Sequence, residues 1–383
     1  MAAELGSRHP LGMERPAGFL RLSLTLAALM AATACAVRPD AGAPPADRGA
    51  GEDAARARAR DLGVHIGELP AGRRDAITDV AGVAVGHATL HEGERLHTGV
   101  TVVLPHRGNP FRRKLPAALC VQNGFGKLVG ATQLAELCEL ESPIALCGTL
   151  NVHRVADGLL DWLLALPGNE QVRSANVVVG ETNDGRLSDI RARPLGAAHV
   201  AAAIASASTG DVAVGAVGAG AGTVCFGYKG GIGTSSRLAA GHTVGVLVQT
   251  NFGGRLLVDG APLTALSGVD HDGSCMIVVA TDAPMDARGL ERLARRAFAG
   301  MARTGASFSN GSGDYAVAFS TAGFAEAPLR GGALSPLFVA VADATEQAIL
   351  DSLCAATTTT GQGRTARALP LGPLRRRFGG EER

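Results

Sequence analysis

The order of strand-like and helix-like segments constrains the fold of this chain more than any other feature. Strand-like segments follow one another and so do helical ones, without regular βαβ alternation. This order favours stacked sheets covered by helices and argues against a Rossmann fold or a barrel. The predicted strands are 76–90, 99–105, 142–150, 176–181, 242–252, 275–283 and 315–321, and the predicted helices are 130–139, 155–166, 194–208, 285–305 and 344–358.

Composition limits the partners that the protein can have. Hydrophobic residues make up 46% of the chain and charged residues 19%, which indicates a globular protein with an aliphatic core. The 36 basic side chains balance 35 acidic ones, so there is no electrostatic signature for nucleic acid or an anionic membrane. We therefore expect small-molecule partners. The seven cysteines form no CxxC pair, and all except Cys35 lie in apolar runs typical of core residues.

The N-terminus is typical of an exported protein. Within residues 1–36, Arg15 and Arg21 precede an apolar run that ends in small residues, as in a signal peptide, and the run is too short to span a bilayer comfortably. Cys35 resembles a lipoprotein cleavage site, although Ala32 stands where leucine is usual. The protein is therefore expected to be periplasmic or lipid-anchored, or cytoplasmic if the start codon is mis-assigned. Residues 37–72 are predicted to be a flexible linker.

The segment that carries the most chemical information is glycine-rich. Residues 214–237 contain eight glycines interleaved with aliphatic side chains, a density that indicates turns, a ligand-hugging loop or a strained peptide. A phosphate-binding loop does not fit, because Lys229 precedes the GGIG run and no GxxxxGK[ST] spacing is present. A surface linker is a further alternative.

The sharper interpretation is a self-cleaving junction between Gly233 and Thr234. A hydroxyl residue after glycine can attack the preceding carbonyl carbon when the peptide is strained, and hydrolysis of the resulting ester leaves a new N-terminal threonine. The α-amino group of that threonine, with a reference pKa of about 8, would serve as general base for its own Oγ. No serine–histidine–aspartate arrangement is needed, and the histidines show no triad or HExxH spacing.

Eight ordered blocks between residues 73 and 368 resemble the L-aminopeptidase/D-esterase (DmpA-like) and β-aminopeptidase family. The blocks are ITDVAGVAVGHATL, GVTVVLP, NGFGKLVG, SPIALCGTLNVHRVADGLLDW, VVVGETNDGRLSDI, FGYKGGIGTSSR, TVGVLVQTNFG and IVVATDAPMDARGLERLARRAFAGMARTG.

The resemblance implies an α+β fold, a four-layer αββα sandwich of the DmpA/ornithine-acetyltransferase-like type. It also implies one catalytic domain, 73–370, cut into an α chain of 73–233 and a β chain of 234–370, with a frayed tail at 371–383. The α/β heterodimers would assemble as a tetramer and release N-terminal residues from short peptides, amides or esters.

Candidate site residues accompany the nucleophile. Asn183 and Asn251 lie at strand ends, where a side-chain amide could stabilise an oxyanion, although Asn183 also fits a plain turn. Ser274 is a candidate proton relay by resemblance, but Met276 stands where a carboxylate would be expected. Ser312 and Asp314 offer a second hydroxyl and carboxylate, or a turn.

Several neighbours of these candidates have open roles. Ser235 and Ser236 would orient the new amino group or cap a turn, and Lys229 would stabilise an oxyanion or end a strand. Glu136 and Glu141 would bind the amine of the substrate or lie on a helix surface.

No metal-ligand cluster is visible, so we expect neither metal nor cofactor. Two other functions remain possible, an acyltransferase of the same fold and a non-catalytic exported binding protein.

Overall fold

A computed structural model describes residues 56–263 and 272–379. The predicted signal peptide with Cys35, and the first part of the predicted linker, lie outside the described residues.

Strands and helices follow one another in short groups along the described chain, without regular βαβ alternation, as the sequence predicted. The strands are β1 Ala84–Glu92, β2 Leu96–Leu104, β3 Leu115–Gly124, β4 Glu139–Leu140, β5 Ile144–Gly148, β6 Val178–Thr182, β7 Val224–Cys225, β8 Tyr228–Lys229, β9 Ile232–Ala239, β10 His242–Asn251, β11 Leu257–Val258, β12 Ala261–Pro262, β13 Ser274–Thr281, β14 Gly313–Ser320, β15 Thr359–Gly361 and β16 Arg364–Ala366. The helices are α1 Ala131–Glu136, α2 Val152–Leu164, α3 Ala197–Ala205, α4 Ala287–Arg303, α5 Ser335–Cys354 and α6 Gly372–Phe378.

Two large sheets form the centre of the molecule. One has six strands in the order β4-β3-β14-β13-β10-β9, and the other has four in the order β1-β2-β5-β6. Neighbouring strands are antiparallel except for two parallel pairs, β13 with β14 and β5 with β6. The parallel β13–β14 pair brings the beginnings of two strands, Ser274 and Gly313, side by side at one sheet edge.

The sheets stack face to face, and helices cover both outer faces. Helices α4 and α5 pack on the six-stranded sheet, while α2 and α3 pack on the four-stranded one. Alternation along β10 shows how the layers form: Val246 and Val248 point into the core beneath α4 and α5, whereas Leu247 points into the core between the sheets. Strands that are apolar on both faces must be covered on both sides. The predicted αββα sandwich is confirmed.

The folded region begins earlier than the sequence analysis predicted. Leu62 and Val64 are buried, and a short 3-10 helix spans Ala59–Leu62. The Arg58 guanidinium donates to the Asp351 carboxylate at 2.6 Å, and Asp351 is fully buried. The part of the predicted linker after residue 55 is therefore packed on α5. The sequence of this segment shows no regular spacing of apolar residues, because its residues contact the core one at a time and do not form one apolar face of a helix.

The predicted frayed tail is also structured in part. Helix α6 spans Gly372–Phe378, and Leu371 and Leu374 are buried against the core of the six-stranded sheet. Two apolar side chains beside a run of arginines are too few to predict a buried helix from the sequence. The residues that they pack against lie far away in the chain.

The final predicted helix begins earlier than expected, at Ser335. Together with the preceding turn, residues Gly331–Cys354 are long and apolar enough to cross a membrane, but 72% of the apolar window is buried inside the protein. This segment is a core helix.

Most of the cysteines predicted to be core residues are buried thiols here, and Cys138 is half-buried.

Candidate active site

Thr234, the predicted nucleophile, lies inside β9 and is fully buried. Its hydroxyl accepts a hydrogen bond from the Ile77 amide at 2.8 Å and donates to the Val246 carbonyl at 2.7 Å. The residue pairs with Leu247 in a regular antiparallel ladder. A hydroxyl with both roles filled, in an ordinary strand, is neither strained nor accessible to substrate. This geometry does not fit the predicted cleavage at Thr234.

The glycine before Thr234 has a packing explanation. A Cβ at Gly233 would lie 1.8 Å from the Ala348 carbonyl oxygen of α5, so only glycine lets the helix approach the strand. The two following serines connect β9 to the N-terminal segment, since the Ser235 hydroxyl donates to Asp75 at 2.6 Å and the Ser236 hydroxyl donates to Asp79 at 2.7 Å. The GGIGTSSR motif is thus a buried structural junction.

A second glycine–hydroxyl junction, Gly273–Ser274, occupies a different environment. Ser274 is the first residue of β13 and lies opposite Asn251 on one side and Gly313 on the other. Its Oγ accepts from the Gly313 amide at 3.3 Å, and its own hydrogen has no acceptor among the residues that the structure describes. A Cβ at Gly273 would lie 2.1 Å from the Asn251 carbonyl oxygen, so this position also requires glycine. The hydroxyl of Ser274 is therefore free to act.

Asn251 offers a hydrogen-bond donor beside this junction. It ends β10 and is 8% exposed, and its Oδ1 accepts from the Val224 amide at 3.0 Å. That bond fixes the orientation of the side chain and leaves its Nδ2 without a protein acceptor within the described ranges. A fixed amide donor with a free N–H beside a hydroxyl nucleophile is the arrangement that an oxyanion requires.

Ser312 and Asp314 flank Gly313, the residue of the neighbouring strand that pairs with Ser274. Asp314 pairs with Cys275 across the β13–β14 ladder and is fully buried, and Ser312 is 2% exposed. Burial raises the pKa of Asp314 to about 6, and the nearby Ser312 hydroxyl and Cys275 amide act in the opposite direction. Among the residues that the structure describes, neither carboxylate oxygen of Asp314 has a well-aligned hydrogen-bond donor. Two hydroxyl residues and one aspartate, which the sequence treated as separate candidates, thus lie at the start of the paired strands β13 and β14.

Asn251, which pairs with Ser274, lines a cavity of about 490 Å³ together with Asp272, the residue before Gly273. Its other lining residues are Asn183, Gly185, Arg186, Ile190, Val224, Gly227, Phe252, Asp272 and Arg364. Asn183 belongs to this wall, but its Oδ1 accepts from the Gly185 amide at 2.9 Å in a local turn. The structure therefore gives Asn183 the turn role that its sequence context also fitted.

The two candidate amine ligands are outside the cavity. Glu136 is exposed at the end of α1. Glu141 is buried and paired with Lys114 at 2.8 Å. Burial tends to raise the pKa of Glu141, but the Lys114 ammonium and the Asn176 amides outweigh it and hold the pKa below its usual value. Neither glutamate is placed to receive the amine of a substrate in this cavity.

A buried set of charged groups, only one of which the sequence singled out, supports the glycine-rich segment. The fully buried Lys229 donates to the carbonyls of Gly220 at 2.7 Å and Gly230 at 2.8 Å. Burial lowers the pKa of Lys229 to about 7, opposed by Asp184 and Cys225. Burial likewise raises the pKa of Asp184 to about 6. Lys229 thus anchors glycine backbone, and its spacing before Thr234 gave no sign of this.

Within the described ranges, no group of three or more histidine, cysteine, aspartate or glutamate side chains is arranged to hold a metal ion.

Comparison with known proteins shows which family the chain belongs to. Residues 75–366 match Peptidase family S58. The chain is 41% identical over 365 residues to "Beta-peptidyl aminopeptidase BapA" of Sphingosinicella microcystinivorans, covering 83% of this chain and 91% of that protein.

Two solved structures extend the likeness to three dimensions. A Burkholderia sp. β-aminopeptidase superposes with a TM-score of 0.78 at 38% identity, over 85% of this chain and 100% of that one. The L-aminopeptidase D-Ala-esterase/amidase of Ochrobactrum anthropi, described as a prototype for the serine aminopeptidases and a variant of the Ntn hydrolase fold, superposes with a TM-score of 0.74 at 30% identity, over 84% and 99%. The chain therefore belongs to peptidase family S58 and is an aminopeptidase with the N-terminal-nucleophile hydrolase fold.

Proposed function

We propose that this aminopeptidase cuts itself between Gly273 and Ser274 and then uses Ser274 as its nucleophile. The observation that carries the proposal is the position of Ser274 at the beginning of β13, with an uncommitted hydroxyl beside the cavity-lining Asn251. Thr234 has neither a free hydroxyl nor access to a cavity. We therefore assign to Ser274 the self-cleavage and the nucleophilic attack that the sequence analysis expected of Thr234.

In the self-cleavage step, the Ser274 Oγ attacks the Gly273 carbonyl carbon. The hydroxyl proton passes to the Ser274 nitrogen as the C–N bond breaks, which leaves an ester and a free amine. Water then hydrolyses the ester, so that Gly273 ends one chain with a carboxylate and Ser274 begins the other. The close approach of Gly273 to the Asn251 backbone holds the junction against the donor that would stabilise the oxyanion.

In peptide hydrolysis, the same residue supplies nucleophile and base. The neutral α-amine of Ser274 accepts the Oγ proton as the hydroxyl attacks the scissile carbonyl carbon, and then gives that proton to the leaving amine. The Asn251 Nδ2 donates to the oxyanion. Ser312 and Asp314, which flank the Gly313 partner of Ser274, are the groups that we assign to orient its amine. Water releases the acyl group and regenerates the serine.

For the substrate, we propose short peptides, amides or esters with a free N-terminus, including those that begin with a β-amino acid. Support for the β-amino acid comes from the name of the relative from Sphingosinicella, a β-peptidyl aminopeptidase. Hydrolysis of the p-nitroanilides of β-alanine and L-alanine compares the two classes directly.

The deciding experiment is intact mass analysis with N-terminal sequencing of the purified protein. A fragment beginning SCMI supports Ser274, and one beginning TSSR supports Thr234. The Ser274→Ala protein should stay whole and inert, whereas Thr234→Ser should be cut and active. An intact wild-type chain without amidase activity refutes the proposal.

Export and assembly are separate proposals. The leader at residues 1–36 supports secretion, either free or lipid-anchored at Cys35. Mass analysis of the protein from its native membrane and soluble fractions tests it, because lipidation adds a defined mass. The family resemblance supports a tetramer of α/β heterodimers, which light scattering tests.

A further inference from the structure

The cavity lined by Asn251 carries more basic than acidic side chains. Two arginines, Arg186 and Arg364, line it together with one acid, Asp272. The Asp272 Oδ1 accepts from the Gly311 amide at 3.0 Å, which ties this acid to the turn before β14. No ion pair joins either arginine to an acidic side chain within the described part of the chain, whereas several other arginines in the structure have such partners. Two exposed arginines without an ion-pair partner among the described residues therefore line the cavity.

Backbone packing brings the two arginines together although they are far apart in sequence. Arg364 begins β16, one strand of the β15–β16 hairpin. Gly361 on the opposite strand packs so tightly that an added Cβ would lie 2.1 Å from the Leu187 carbonyl oxygen. Leu187 is fully buried and follows Arg186 directly. The hairpin is thus pressed against the segment that carries the other arginine.

The turn of this hairpin is rigid. Gln362 and Gly363 both have positive φ, of 52° and 67°, as in the tight turns that suit two-stranded hairpins. The Gln362 side chain also donates to the Arg95 carbonyl at 3.1 Å. The anchored hairpin thus places the backbone of Arg364 at the cavity wall, with its side chain exposed.

Two unpaired guanidinium groups in one small cavity repel each other, and an anion removes that repulsion. Arginine binds carboxylates through paired, charge-assisted hydrogen bonds. The cavity, at about 490 Å³, has the size of a site for a small ligand. The bound substrate places its leaving residue beyond the scissile carbonyl, and a carboxylate on that residue lies within about one residue length, roughly 3.5 Å, of the scissile bond.

We infer that Arg186 and Arg364 form a subsite for a carboxylate on the residue that follows the scissile bond. This inference rests on the proposed function and defines the preferred substrates as those with an anionic leaving residue. The carboxylate has two possible sources, the free C-terminus of a dipeptide and an acidic side chain.

The experiment compares three substrates that share an N-terminal β-alanine: β-alanyl-alanine, its C-terminal amide, and the C-terminal amide of β-alanyl-aspartate, in which only the side-chain carboxylate is free. We expect kcat/KM for β-alanyl-alanine to exceed kcat/KM for its amide. Arg186→Gln and Arg364→Gln should each lower the ratio of these two kcat/KM values roughly tenfold, as expected for loss of one charge-assisted hydrogen bond at an exposed site. Arg191→Gln is the matched control, because Arg191 is exposed on the same segment and does not line the cavity. Its ratio should stay at the wild-type value. Preference for the aspartyl amide over the alanyl amide identifies a side chain as a further source of the carboxylate.

The result that overturns the inference is a ratio near one in the wild type, or a ratio that neither arginine substitution changes. The inference also fails if the substitutions alter only the extent of self-cleavage, because the arginines would then bind the new carboxylate of Gly273. Hydrolysis of β-alanine p-nitroanilide, which has no carboxylate, separates this failure from failure of the proposed function. If the wild type does not hydrolyse the anilide or the peptides, the proposed function itself is wrong.

Discussion

The sharpest test of the site assignment is the isosteric substitution Thr234→Val. It removes a hydroxyl that satisfies the buried Ile77 amide and donates to the Val246 carbonyl. A buried amide without an acceptor costs about 1–3 kcal/mol, and the lost bond to the carbonyl adds about 1 kcal/mol, so the free energy of unfolding should fall by roughly 2–4 kcal/mol. Self-cleavage and amidase activity of the folded protein should survive.

Stability is measured in the uncut Ser274→Ala background, so that one chain unfolds in each sample and the denaturant midpoints are comparable. Thr78→Val serves as the control, because its hydroxyl makes a single bond, to the Gly210 carbonyl at 2.8 Å. We expect this control to lose about 1 kcal/mol. Cleavage and turnover are followed with Ser274 present. A Thr234→Val protein that is as stable as its parent, uncut and inactive would refute the reasoning and restore Thr234 as the nucleophile.

Three further predictions follow from the same geometry. Gly273→Ala should block self-cleavage in folded protein, because its Cβ would lie 2.1 Å from the Asn251 carbonyl oxygen and displace the junction; mass analysis of the soluble fraction detects the uncut chain, and normal cutting contradicts the proposed junction. Burial raises the pKa of Asp314 from its usual value near 3.9 to about 6, so the folded state holds the proton more tightly and the free energy of unfolding of uncut Ser274→Ala protein should fall as pH rises from about 4 to 6. Asp314→Asn should flatten that slope in denaturant titrations, and an unchanged slope assigns it to other groups. Dialysis against EDTA should leave anilide hydrolysis unchanged, since acyl transfer through Ser274 needs no Lewis acid, and loss of turnover that added metal restores contradicts this mechanism.

The parts of the fold that the sequence predicted well have strong local periods. The strands near 242–252 and 275–283 and the helix near 285–305 match β10, β13 and α4 closely. The segment 56–72 and the helix α6 were missed because their few apolar side chains are buried by residues remote in the chain. Local patterns do not record such contacts.

The candidate site shows the same division. Asn251, Ser274, Ser312 and Asp314 were all recognised as candidates, since hydroxyl, amide and carboxylate groups at strand ends are visible in sequence. In the proposed mechanism Ser274 takes the role that the sequence analysis gave to Thr234, and a glycine followed by a hydroxyl residue occurs both at 233–234 and at 273–274. Sequence alone does not tell which glycine is required by a helix above it and which lies beside a cavity.

The sequence by itself determined the secondary structure of the central strands and helices, the αββα architecture through family resemblance, and the chemistry of glycine followed by a hydroxyl nucleophile. Tertiary structure decided which hydroxyl is available. Pairing of β10, β13 and β14 sets Ser274 between Asn251 and Gly313, while α5 and the N-terminal segment enclose Thr234. The physical reason is that a hydroxyl group can react only if other groups neither occupy its hydrogen bonds nor bury it. Those other groups belong to residues distant in the chain.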